Sequence, residues 1–298
     1  MESTGMDARA RNLVFLAAVF SLAASHRTTN FLVSCDDPLL ARQVAQTAEQ
    51  YRRQLALSWL GHELPRWQDI CPIQVRVGDR LGAGGQTSFT FENRRPGRWQ
   101  MIIQGSRQRI LDSVLPHEIT HTIFASHFGQ RLPRWADEGA CTTVEHASER
   151  RKQQQLLVQF LTTDRGIPFN VMYRITEYPE DIMPLYAQGY SVARYLLAHG
   201  GRRRFVTYLE TGLASGDWDQ ATRKTYGLTD LSQLQTSWIS WVQQGCPSPA
   251  QAASAVRQAS AKIPADRTSS SARGWRQRNS PLLVPAVQSQ LPTRTLRR

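Results

Sequence analysis

Leu115-Pro116-His117-Glu118-Ile119-Thr120-His121-Thr122-Ile123 carries the densest chemistry in this chain of 298 residues. His117 and His121 stand four residues apart, so on a helix they project from one face, about 40° from each other. Neutral imidazoles at that spacing can both reach one zinc ion, and Glu118, a step round the helix, falls beside the water such an ion holds. Zinc lowers the pKa of that water to about 7, and a carboxylate can then take its proton. The pattern therefore points to metal-assisted hydrolysis of an amide. Ile110, Val114, Ile119 and Ile123 supply an apolar side on which the helix can pack.

A catalytic zinc takes three protein ligands and keeps a fourth position open. Two residues compete for the third place. His127 follows His121 by six, the spacing of the pattern H-E-x-x-H-x-x-G-x-x-H, but the glycine position of that pattern is Phe124 here. A bulky residue is disfavoured in the left-handed turn that the glycine would make. If the helix simply continues, His127 lies about 240° round from His121 and faces away. Glu138 is the better candidate. The stretch Leu132-Pro133-Arg134-Trp135-Ala136-Asp137-Glu138 marks a turn and then a helix start, and a second helix against the first can aim an early carboxylate at both rings. Asp137 and Glu145 are its acidic neighbours. Glu145 shares the helical face of Glu138 and is a candidate partner for a ligand, or for a nearby arginine.

Working outward, periodicity predicts a strand over 28–34, an amphipathic helix over 38–60 and short strands over 73–77, 87–91 and 99–103. The glycine-rich segment 82–85 reads as a turn between strands, since it lacks the G-x-x-x-x-G-K-[ST] phosphate-cradle pattern. Strand 99–103, just before the metal-binding segment, is a candidate edge for an extended peptide, or an ordinary sheet edge. Helices are expected over about 107–128, 137–163, 185–199, 202–213, 217–226 and 231–242. Pro116 should kink the first of these or start a new helix.

H-E-x-x-H followed by Trp135-Ala136-Asp137-Glu138-Gly139-Ala140, whose Glu138 lies seventeen residues past the second His, resembles the gluzincin group of zinc peptidases, within the broad peptidase MA-like group. The similarity covers about residues 114–242. Tyr186-Ala187-Gln188-Gly189 is similar to the Tyr-x-x-Gly segment that supplies a transition-state tyrosine in aminopeptidase-type gluzincins. The resemblance implies a zincin-like fold with zinc on His117, His121 and Glu138. It also implies Glu118 as general base and proton shuttle, and Tyr186 as oxyanion stabiliser. Tyr190, one turn later, is the fallback for that last role. No G-x-M-E-N-type segment precedes the zinc helix, so the resemblance does not extend to exopeptidase specificity.

Composition sets the frame. Hydrophobic residues make up 41% of the chain, which excludes wholesale disorder. Residues 251–298 hold eight Arg and one Lys against one Asp, so most of the formal charge of +12 belongs to the tail. Arg9 and Arg11 precede an apolar run over 13–24 that ends in the small residues Ala23, Ala24 and Ser25, the order of an export signal. The run is too short for a membrane span, which needs about 20 residues. The four cysteines form no C-x-x-C pair, and read either as one or two disulfides or as buried thiols.

The sequence thus predicts an α+β protein: a signal peptide over 1–25, a zinc peptidase-like domain over 28–245 and a basic, mostly disordered tail over 246–298. Within the domain, 28–105 should form a small mixed or antiparallel sheet and 106–245 a helical half carrying the site. The function expected is that of a secreted or envelope-located zinc metallopeptidase acting on peptides or proteins. The alternative is a non-catalytic secreted zinc-binding protein, anchored to acidic polymers or the cell envelope by its tail. No specific nucleic-acid partner is expected, because charge alone supports only weak, salt-dependent association. A chain cut near Gly245 is expected to keep its thermal stability.

Overall fold

Helix α1 (Pro38–Leu60) has the bounds its sequence predicts, because both ends are chemically marked. The Asp37 carboxylate accepts from the Leu39 and Leu40 amides, and Pro38 occupies a position where no N–H is needed. Gly61 turns left-handed at φ 78° and donates back to the Leu57 carbonyl. The computed structural model describes residues 24–247. The expected export segment lies outside these except for Ala24 and Ser25, and the expected tail except for Cys246 and Pro247.

Alternation of buried and open positions builds a five-stranded mixed sheet over β1 (Ala24–Arg27), β2 (Phe31–Cys35), β3 (Cys71–Val77), β4 (Gly84–Glu92) and β5 (Arg95–Gly105). The order is β1-β2-β3-β5-β4, with β2, β3 and β5 parallel and β1 and β4 antiparallel at the edges. The strand expected over 28–34 is divided: Asn30 is held in a turn by Glu49, at 2.7 Å from its backbone nitrogen, and β2 begins only at Phe31. Strand 99–103 is not an edge. It lies within β5, which bonds to β3 on one side and β4 on the other, so β4 is the edge on that side among the described residues. Gly84 and Gly85, expected in a turn, open β4.

Pro116 explains the next segment. Its missing N–H would leave a gap in a continuous helix from Arg107. Instead a short α2 (Arg107–Arg109) passes through a π-helical turn (Ile110–Val114) into α3 (Leu115–Phe128), with the Leu115 amide donating to the Ile110 carbonyl. The single helix expected over 137–163 is two, α4 (Arg134–Thr142) and α5 (Ala147–Thr162). The β-branched run Thr142-Thr143-Val144 weakens the junction, and His146 caps the new helix by accepting from the Ser148 amide at 3.2 Å. After a short, unanticipated α6 (Phe169–Met172) comes α7 (Met183–Ser215), interrupted at Gly201 (φ 70°, ψ 179°) where the two-helix expectation placed its break. Asp217 and Asp230 cap α8 (Trp218–Tyr226) and α9 (Leu231–Gln243).

A chain of buried rings ties these layers together. Trp59 of α1 meets Phe124 of α3 at 5.2 Å and Phe205 of α7 at 5.8 Å, and Phe205 meets Trp135 of α4 at 6.3 Å. Helices α4 and α7 touch backbone to backbone: a Cβ on Gly139 would collide with the Gly189 carbonyl, and one on Gly189 would lie 2.7 Å from the Trp135 carbonyl oxygen. The four cysteines are unpaired. No helix among the described residues is long and apolar enough to cross a membrane.

Candidate metal centre

Three helices and the edge strand meet at a cleft of about 530 Å³ lined by His117, Glu118, His121, Glu138, Tyr178 and Tyr186. Both histidines project from α3 toward the start of α4. Glu138 Oε2 lies 3.4 Å from His117 Nε2 and 3.7 Å from His121 Nε2, so three donor atoms face a common point. The other nitrogen of each ring is also engaged: His117 Nδ1 lies 2.6 Å from Glu145 Oε1, and His121 Nδ1 lies 2.8 Å from Asp137 Oδ1. A carboxylate only accepts, so Nδ1 is the donor in both rings and Nε2 is the atom turned to the cleft. Glu145 does not share a helix face with Glu138 as expected. It reaches His117 from the link after α4.

The site favours positive charge. Burial opposes charge on His117, but hydrogen bonds to Glu138 and Glu145, with the charges of Glu145 and Glu118, hold its pKa well above the usual histidine range. Burial likewise opposes charge on His121, and Asp137 and Glu138 outweigh it and raise the pKa to about 9. Glu138 is 2% exposed, and burial pushes its pKa up, yet the two imidazoles and the Tyr178 hydroxyl hold it well below the usual carboxylate range. An acid-lined pocket around two mostly buried imidazoles suits a cation. A buried group of His117, His121 and Cys141 could hold a metal ion, its ligand atoms all lying within 4.8 Å of one another. Burial, with the nearby acids, pushes the Cys141 thiol pKa up.

Glu118 is buried beside the cleft and accepts a 2.6 Å hydrogen bond from the Thr87 hydroxyl of β4. Tyr186 lies in the cleft wall, and Tyr190 is buried in the core and does not line the cleft. His127 is turned away, its Nε2 2.8 Å from Glu210.

Sequence reasoning missed Tyr178. It donates its hydroxyl to Glu138 Oε1, stacks on Tyr186 at 6.4 Å, and lies under the Arg134 guanidinium at 4.1 Å. Burial and the Glu138 charge raise both phenol pKa values, so Tyr178 and Tyr186 stay protonated as donors. No local pattern marks Tyr178, which sits in a loop between α6 and α7. Gly85 and Thr87 were missed as well, although a glycine inside a strand is a sign of close approach. The chain matches no protein-family model and no curated protein.

Proposed function

We propose that the chain is a zinc-dependent metallopeptidase of gluzincin type on a zincin-like fold. One observation carries the reading: His117 Nε2, His121 Nε2 and Glu138 Oε2 converge at the floor of a cleft while Glu145 and Asp137 hold the back of each imidazole. Two nitrogens and one carboxylate oxygen are a donor set suited to zinc with an open position, and the carboxylates behind the rings are the partners such ligands use. A bound zinc supplies Lewis acidity toward an amide carbonyl and toward water. The Glu118 carboxylate would take the proton of the attacking water and deliver it to the leaving nitrogen. The Tyr186 phenol, protonated and in the cleft wall, would donate to the oxyanion. The exposed β4 edge offers main-chain groups to an extended peptide.

Cys141 favours a second reading. As a further buried donor beside the histidines it could complete a closed set, giving a secreted zinc-binding protein without catalysis. The test is chelator-sensitive proteolysis of a pooled peptide library by zinc-loaded protein, alongside the spectrum of the cobalt-substituted form. Cleavage without a thiolate-to-cobalt band supports the peptidase. A strong thiolate band with no cleavage supports the closed site. Export belongs to the same proposal and is read from the N-terminus of the mature protein. A cut after Ser25 would fall inside β1.

A further inference from the structure

We infer that Thr87 and Gly85 of β4 position Glu118, Thr87 fixing one carboxylate oxygen and Gly85 keeping the space beside the other clear; the inference rests on the metallopeptidase reading. Glu118 is 3% exposed, so its carboxylate is confined. A glutamate on a helix keeps three side-chain torsions, and burial alone does not choose among them. Thr87 does: its hydroxyl donates to Oε2 at 2.6 Å. The donor is itself stiff, being β-branched and in the middle of β4, where Thr87 pairs with Met101 of β5. Oε1 is left for proton transfer.

Gly85 lies two residues earlier, on the same face of the strand. A Cβ built there would stand 2.5 Å from Oε1, 2.8 Å from Cγ and 2.9 Å from Cδ of Glu118. Gly85 is not in the left-handed region, so alanine would suit its backbone. What the missing side chain provides is room for the carboxylate. Its neighbour Gly84 is a control, since a Cβ there meets nothing within 4 Å. Thr87 and Gly85 are therefore positioning residues. They act through Glu118, one by a hydrogen bond and the other by vacancy of side chain.

The experiment compares Thr87→Val, Thr87→Ser, Gly85→Ala and Gly84→Ala by crystal structure and by peptide hydrolysis at equal zinc occupancy. In Thr87→Val and Gly85→Ala the Glu118 carboxylate should leave its wild-type orientation. The kcat should drop by about 10²-fold, as for displacement of a reacting group by roughly 1 Å, with KM little changed. Thr87→Ser, which restores the hydroxyl, and Gly84→Ala should keep both the orientation and the rate. A Glu118 that stays in place in Thr87→Val and Gly85→Ala, or unchanged kcat in both, overturns the inference. If the wild type cleaves nothing, the peptidase reading fails, while the crystal structures still decide whether Thr87 and Gly85 set the carboxylate.

Discussion

Glu145 stands outside both α4 and α5, yet its Oε1 lies 2.6 Å from Nδ1 of His117. The break between the two helices is what lets it reach. Asp137 serves His121 in the same way from inside α4, at 2.8 Å. Carboxylates so placed orient the ring and raise its basicity toward a metal. Glu145→Gln and Asp137→Asn should each weaken zinc binding by about 10–100-fold. Competition against a chelator of known affinity measures this, and wild-type affinity in both variants would remove these residues from the centre.

Glu118→Gln separates catalysis from metal holding. The amide is nearly isosteric, so fold and zinc content should persist while kcat falls by about 10²–10⁴-fold. Equal cleavage by this variant and wild type at equal zinc would mean that the mechanism is wrong.

The two tyrosines should part company. Tyr186→Phe should retain zinc and lose about 10²–10³-fold in kcat with little change in KM, as for a donor acting in the transition state. Tyr178→Phe removes the donor to Glu138 Oε1 and should weaken zinc binding as well. Paired chelator titrations and kinetics on both variants decide it, and identical behaviour would contradict the distinct contacts of the two rings.

His127→Ala should leave zinc stoichiometry unchanged, because its imidazole pairs with Glu210. The two side chains are 21% and 47% exposed, so loss of the ion pair itself should cost at most about 1 kcal/mol. Metal analysis that finds zinc lost from His127→Ala but retained in Glu138→Ala would transfer the third ligand to His127.

Truncation is predicted differently from structure than from composition. Cys246 O accepts from Arg194 at 3.3 Å, and Pro247 O accepts from the Trp241 indole at 3.0 Å. A chain ending at Gly245 loses both contacts, each worth about 0.5–1.5 kcal/mol, and should melt below one ending at Pro247. Equal melting temperatures would show these contacts to be immaterial.

Much of the centre was legible because helical spacing is local. His117, Glu118 and His121 needed only a four-residue period, and α1 was bounded by the three- and four-residue spacing of its apolar positions. Glu138 was legible through its helix start and its motif. Strand order was not, since nothing local in Trp99–Met101–Ile103 says that β4 pairs outside it. Tyr178 was hidden for a related reason: its place depends on Arg134, forty-four residues earlier in the chain, reaching over its ring. The junction at Thr142-Thr143-Val144 was readable in principle from its β-branched run, but one helix over 137–163 was expected through it.

The crossing at Gly139 and Gly189 has a consequence for how this centre can change over generations. Glu138 sits beside one glycine, and Tyr186 lies one helical turn before the other. A methyl group at either position would meet backbone and act as a wedge between α4 and α7. Carboxylate and phenol would then separate without either being altered. Two positions that bear no functional group therefore set the gauge between two that do, and a side chain at either would reshape the cleft without touching the groups that line it.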